Sequence, residues 1–502
     1  MKNVIGAVSA SIANILVSVI TQRIFLQILS TEFLGLNGFF LNIVSMLGIF
    51  ELGIGAAITF SLYKPLAVSD RKTIKALMNF YKKAYRIIAL LVSVVGIGIA
   101  PFLPLLIKEI TIDINIYLVF SLFLIDIICS YPLAYRRSIL YADQKNYQIN
   151  IVHICYLVIM NALQLIILAL TKNYYLYLGI KIFMRIAENL AIHYLVHRQY
   201  PYLDSLGNAK LDKTTEKGIL KKVRALFFHK VATFLVLGSD NIIISKFIGL
   251  VEVGLYSNYL LTIKAIEQLV GHAISALTPT IGHKLAIDKS EKSFGAFKKT
   301  RFAGFVLACV ASTGFFVCVQ PLISIWLGEE YLLDFLTVSM LSFNLFQRLQ
   351  RYPFSTFKEA AGIYYEDRFV PLVESALNIV ASIVLLHFFG LPGVFMGTIV
   401  SSFALWFYSY PRFVYKNLFH RNYYQYAKET VGFIGVFLVC ASSSYLLTTF
   451  IHFDSIVLQF IANGTIAVFI SLGVTTILLH NTSSFKYFIT RLTSIPKKVS
   501  KK

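Results

Sequence analysis

Apolar stretches of about twenty residues, parted by short polar connectors, recur along the whole 502-residue chain. A helix needs about 20 residues to cross a hydrocarbon core of about 30 Å. In lipid every backbone group must be satisfied within its own segment, so such stretches are helices and not loops. The pattern predicts spans near 4–28, 34–61, 87–107, 114–140, 148–170 and 174–196, then 223–249, 253–280, 302–327 and 331–357, and finally 369–389, 391–411, 430–451 and 455–479. The prediction is thus an all-α integral membrane protein with fourteen transmembrane helices. The first span runs into Gln22-Arg23 with no small-residue cleavage site, and reads as an uncleaved helix.

The longest polar connector, with Pro201, Gly207 and Gly218, separates six spans from the next six. The expected organisation is an N-lobe at 1–200, a cytoplasmic linker at 201–222, a C-lobe at 223–415, and two further helices with a basic tail at 416–502. An internal repeat supports the division. Leu34-Gly35-Leu36 corresponds to Val253-Gly254-Leu255, and Tyr131-Pro132 to Tyr352-Pro353. Six is an even number of crossings, so both halves enter the membrane in the same direction, as parallel repeats about its normal.

Composition agrees with a membrane protein. Hydrophobic residues make up 57% and charged residues 14%, against about 45–50% and about 25% in soluble domains. This excludes a soluble enzyme. The net charge of +21 is carried by alternate connectors. Lys64–Arg86, Arg136–Lys145, Arg198–Arg224, Lys284–Arg301, Arg412–Lys428 and Lys486–Lys502 form a basic set. The opposite set holds Glu32, Lys108, Glu109, Asp113, Lys172, Glu252, Glu329, Glu330 and Asp454, with few basic residues. That alternation is the positive-inside bias. It places both termini in the cytoplasm and removes the reason to expect nucleic-acid binding. The connector from Tyr63 to Arg86 reads as an interfacial segment on anionic headgroups. All five cysteines lie in apolar runs and read as small buried hydrophobes. No GxSxG, Walker A, HExxH or paired-Cys motif occurs, so no catalytic residue, metal or cofactor is expected, and no ATP hydrolysis in this chain.

Ionisable groups inside spans cost about 2.5–3.5 kcal/mol and face protein or water. Arg23, Glu51, Asp126, His153, Lys181, Arg185 and Glu188 occupy the first half. Asp240, Lys264, Glu267, His272, Arg348, Arg351 and Glu374 occupy the second. The last two spans hold almost none, so a polar pathway belongs to the two lobes. Lys181, Arg185 and Glu188 are spaced for intrahelical pairing, as are Lys264 and Glu267. Asp126 and His153 read as satisfied polar groups between helices. Arg348 and Arg351 are near enough to the cytoplasmic face to snorkel. Arg23 has no acid within helical reach and reads as cavity-lining.

At Leu34-Gly35-Leu36-Asn37-Gly38, Glu51-Leu52-Gly53-Ile54-Gly55 and Leu62-Tyr63-Lys64-Pro65-Leu66 the chain resembles the Wzx-like polysaccharide repeat-unit flippases of the multidrug/oligosaccharidyl-lipid/polysaccharide (MOP) exporter superfamily. Ser239-Asp240-Asn241-Ile242, Val253–Asn258, Ala361-Gly362, Asp367-Arg368 and Gly393–Thr398 extend the resemblance over about 400 residues. It looks most like the Gram-positive capsule and exopolysaccharide members. The resemblance implies a V-shaped pair of six-helix lobes around a cavity, working by alternating access in the bacterial cytoplasmic membrane. It implies a cargo of undecaprenyl-pyrophosphate-linked oligosaccharide. Arg23 and Lys264 match cavity cations of such families, with Arg348 and Arg351 as further substrate-binding candidates. Glu51, Asp240, Glu267 and His272 are candidates for ion coupling, to H⁺ or Na⁺, or for lining the cavity. A teichoic-acid precursor or lipid II flippase remains an alternative, although Glu51 is the only charge inside its span. A multidrug antiporter or a membrane glycosyltransferase fits less well. The expected state is a monomer in contact with membrane lipids.

Overall fold

The computed structural model describes residues 2–51, 54–205, 209, 211–213, 215–219, 239–287, 290–361, 363, 366 and 369–490. Among these, helices and turns alone occur, with no strand. Ten helices are long and apolar enough to cross a membrane. Most of the predicted span 223–249 lies outside the described residues, and its last part, 239–247, is helical. Contacts divide the chain into two compact units, Met1–Ser257 and Asn258–Lys502.

In the first unit, α1 (Lys2–Ile28) packs along α8 (Asn146–Thr171). The second predicted span is not one helix. It divides into α2 (Thr31–Leu47), a 3₁₀ turn (Gly48–Glu51) and α3 (Ile54–Ala67). Glycines on both sides of the turn weaken the helical ladder where Glu51 stands. The connector expected at 63–86 is corrected in the opposite sense. From Arg71 onward it belongs to α4 (Arg71–Ile99), a single helix capped by Asp70, which accepts from the Thr73 N–H at 3.1 Å. Ile74, Leu77, Met78, Tyr81, Tyr85, Ile88 and Val92 form one buried stripe at helical spacing, while Lys82, Lys83 and Arg86 are exposed. A short 3₁₀ turn (Ala100–Phe102) and the one-turn α5 (Leu103–Leu106) follow.

The fourth predicted span ends early. Helix α6 (Ile116–Ser130) stops before Tyr131-Pro132, because proline has no N–H to donate and its ring crowds the preceding turn. A 3₁₀ turn (Ala134–Arg136) and α7 (Arg137–Ala142) complete it. Helix α9 (Tyr174–Gln199) runs beside α6 and α8. The short α10 (Tyr202–Ser205) is fastened to the unit by Asp204, which meets Arg136 at 2.8 Å and His197 at 2.7 Å. Hydrogen bonds from Arg136, with help from His197, hold the Asp204 carboxyl well below the usual carboxylate range. A depressed folded value means the attachment is complete above the ordinary aspartate value of about 3.9 and is lost as pH falls below it. Amide exchange over Tyr202–Ser205, corrected for intrinsic rate, is therefore expected to lose protection on acidification in the parent. In Asp204→Asn it should already be low at neutral pH. Equal protection in the two proteins at every pH would exclude this role.

Helix α11 (Leu250–Ser275) begins in this unit, and its first turns, through Ser257, pack on α2. The repeated motif glycines meet there. A Cβ on Gly35 would stand 1.8 Å from the Leu250 carbonyl oxygen, and one on Gly254 would stand 2.3 Å from the Thr31 carbonyl oxygen. Only glycine lets these backbones approach so closely.

In the second unit come α12 (Thr278–Ile287), the long α13 (Ser290–Trp326), α14 (Phe335–Ala361), α15 (Val370–Phe389) and α16 (Leu391–Ala404). Gly390, at φ +64°, makes the turn between α15 and α16. These two helices then press together at Gly393 and Gly397, where a Cβ would meet Leu385 O at 2.2 Å and Ser382 N at 2.3 Å. The chain goes on as a π-helical segment (Leu405–Leu418), followed by α17 (Tyr423–Phe450) and α18 (Ile456–Leu479). Pro353 lies within α14 without ending it. The five thiols are free; only Cys309 and Cys440 are buried, while Cys129 and Cys318 are half-buried and Cys155 exposed, contrary to the expectation that all are buried.

Candidate functional site

The first unit carries an open cavity of about 940 Å³. Glu51, Tyr85, Asp126, Arg137, Lys181 and Arg185 face it, brought together from five separate elements of the chain. The 3₁₀ turn supplies Glu51, which accepts from the Tyr85 hydroxyl at 3.0 Å. The break at Pro132 lets α7 start afresh, and its first residue, Arg137, points into the same space.

A continuous ionic network runs behind the wall. Asp126 holds Lys181 at 3.1 Å and Arg185 at 3.3 Å. Glu188 holds Arg185 at 3.3 Å, Arg137 at 3.2 Å and His153 at 2.9 Å. Asn189 accepts from Arg137 at 3.0 Å. The ammonium of Lys181 also lies over Phe123, and the Arg185 guanidinium over Tyr156. The exposures of the partners are unequal. The Glu188 side chain is 0% exposed and that of Asp126 9%, whereas Lys181, Arg185 and Arg137 are 17, 24 and 25% exposed. Glu188 is sealed in protein and Asp126 nearly so, while Lys181, Arg185 and Arg137 carry most of the network's accessible surface; Glu51 faces the same space. An anion entering the cavity meets positive groups held in place from behind, with the reorganisation cost already met.

The intrahelical pairing expected of Lys181, Arg185 and Glu188 is therefore only part of the arrangement, since Lys181 pairs across helices with Asp126. Asp126 and His153 are satisfied between helices, as read from the sequence. Arg137 was legible only as a connector charge. A lone Asp in the apolar run of α6 was the signal that a cation from another helix must reach it.

The remaining candidates are distributed as follows. Arg23 is exposed on α1, and Asp240 is buried in the helical stretch 239–247. In the second unit Arg348 reaches Glu267 at 3.5 Å, and Lys264, exposed on α11, lies within electrostatic reach of both. The Tyr352 hydroxyl donates to the Glu267 carbonyl oxygen at 3.1 Å. Arg351 meets buried Glu374 at 2.6 Å, so the two arginines engage acids of neighbouring helices. His272 is exposed. The structure thus gathers Lys264, Glu267 and Arg348 in one unit and Glu51 with the ionic network in the other.

The fold is a multi-helix membrane fold with a charged, roomy cavity inside one helical unit. The sequence model of the family described as polysaccharide biosynthesis protein matches residues 1–283, and the chain belongs to that family. No individual curated protein sequence matches the chain. Among solved structures, the lipid II flippase MurJ in its inward closed conformation superposes with a TM-score of 0.68 at 13% identity, covering 95% of this chain and 99% of that one. An inward-facing multidrug resistance MATE family transporter of the MOP superfamily gives 0.55 at 12% identity, over 77% of this chain and 91% of that one. A point mutant of the Vibrio cholerae MATE transporter VcmN gives 0.54 at 14%, over 79% and 92%. At such identities the likeness is one of fold. The chain is a multi-pass membrane protein with the fold of the MOP superfamily.

Proposed function

We propose that this protein moves an undecaprenyl-pyrophosphate-linked oligosaccharide from the inner to the outer leaflet of the bacterial cytoplasmic membrane by alternating access, in capsule or exopolysaccharide assembly. The observation that carries the reading is the arrangement of Arg137, Lys181 and Arg185, three cations accessible in one cavity and held by Glu188, which is fully buried, and Asp126, which is nearly so. Such a surface suits an anionic headgroup and disfavours a cationic drug. A glycosylated pyrophosphate cannot cross hydrocarbon alone, while its polyprenyl tail remains in lipid. Arginine offers a fork for phosphate oxygens and lysine a compact charge.

In this proposal two six-helix lobes and two C-terminal helices form the transporter, with both termini cytoplasmic. Arg23, Lys264, Arg348 and Arg351 are further candidate contacts for the anionic cargo, and Glu51, Asp240, Glu267 and His272 are the groups through which H⁺ or Na⁺ would couple. The membrane potential alone supplies about 2.3 kcal/mol per charge per 100 mV, outward for an anion leaving an inside-negative cell. A teichoic-acid precursor or lipid II would use the same chemistry. Reconstitution with defined undecaprenyl-linked cargoes separates them.

Arg185→Ala leaves Asp126 with Lys181 and Glu188 with Arg137 and His153, so the variant is expected to insert and fold. Its flipping rate in proteoliposomes should fall about tenfold to a hundredfold, the worth of a charge-assisted hydrogen bond of about 1.5–3 kcal/mol. Arg23→Ala and Lys264→Ala are expected to fall likewise. Parent rates in all three, with normal insertion, would remove these cations as cargo contacts.

A further inference from the structure

Away from the ionic network, α13, α14, the π-helical segment and α17 meet in the second unit around a small void of about 10 Å³. Arg301, Gln350 and Trp406 line it together with the rings of Phe354, Tyr426 and Phe433. The three polar residues are 3, 4 and 4% exposed. Each carries one nitrogen with no hydrogen-bond partner among the described residues: Arg301 Nε, Gln350 Nε2 and Trp406 Nε1. All three are donors, and no lining residue contributes an orphaned acceptor. A buried donor left unmade costs about 1–3 kcal/mol, so three around one void call for a shared acceptor.

The local charge has the matching sign. Arg301 Nη1 meets Glu429 at 2.7 Å and also the Tyr415 hydroxyl, and its Nη2 meets Thr430 at 2.7 Å. Lys298 reaches the same Glu429 at 3.3 Å. Two cations therefore share one carboxylate. The void is the size of one water or one monatomic anion. A water accepts two hydrogen bonds and so leaves one of the three donors unmet. A halide accepts from all three donors and offsets the surplus positive charge.

We propose that this void is a binding site for a buried halide, chloride in the cell, which ties α17 to α13, α14 and the π-helical segment. None of its lining residues lines the cavity of the first unit or is itself a candidate cargo contact. The test uses the full-length purified protein. Crystals grown in bromide should show an anomalous peak within hydrogen-bonding distance of Arg301 Nε, Gln350 Nε2 and Trp406 Nε1. At equal ionic strength, the melting temperature in sodium chloride should exceed that in sodium gluconate by about 2 °C or more. Trp406→Phe or Gln350→Leu should abolish the difference. A chloride effect that survives both substitutions is a general salt effect and overturns the proposal. So does a void without bromide, whether it holds water or the Gln350 amide oxygen turned toward Trp406. The diffraction test needs no variant, so a misfolding substitution leaves it decisive.

Discussion

Glu188→Gln is expected to destabilise the protein more than any other single neutralisation in the first unit. The Glu188 side chain is fully buried and answers three groups, Arg137, Arg185 and His153. Removing its charge leaves two guanidiniums sharing a network in which only Asp126 remains ionised. Breaking a buried pair from one side costs about 3–5 kcal/mol. At about 2–4 °C per kcal/mol, the melting temperature in detergent should drop by about 6 °C or more. Glu291→Gln is the internal comparison, because Glu291 is 86% exposed and its partner Arg421 36%, so water can solvate what it leaves behind. If Glu188→Gln melts like the parent, the network is not the keystone of this unit.

Gly35→Val and Gly254→Val should abolish the proposed export. In each case the new Cβ falls on a backbone carbonyl, 1.8 Å from Leu250 O or 2.3 Å from Thr31 O, and a carbonyl in a helix has nowhere to go. Overpacking typically costs about 1–3 kcal/mol; a backbone obstacle puts these variants at or above that range. Gly435→Ala in α17 is the control, since nothing lies within 4 Å of its Cβ. That change should be neutral or stabilising by about 0.5–1 kcal/mol, the ordinary effect of replacing a helical glycine. Export assays on membranes with matched protein levels would read the difference. Normal export from both valine variants would mean that the helices are not held at this distance when the protein works.

The sequence made the helices legible because lipid leaves the backbone no alternative, and hydropathy reports that constraint directly. It misjudged places where charge and burial coexist on one helix. Arg71 to Arg86 looked like a connector because six basic residues outweighed a stripe of Ile74, Leu77, Met78, Tyr81 and Tyr85 that only a helical projection brings together. The interruption at Gly48–Glu51 was hidden because the surrounding residues are apolar in either conformation. In the site, the charged residues themselves were visible. Their pairing was not, because Asp126 and Lys181 lie 55 positions apart (181 − 126) and only packing of α6 on α9 joins them. The inequality of exposure that makes the cavity surface cationic is a property of packing alone. The Arg301 cluster was missed for a related reason. Its arginine stands near the start of a predicted span, and its partners Gln350, Trp406 and Thr430 carry no charge to attract attention.

The repeated Tyr-Pro pair ends differently in its two copies. Pro132 is exposed and terminates α6, whereas Pro353 is buried inside an unbroken α14, with its ring 2.6 Å from where Gly304 would carry a Cβ. A free proline at a helix end is a swivel, and one wedged against a glycine notch is a brace. The same dipeptide thus stands free at a helix end in one place and packed against a glycine inside a helix in the other.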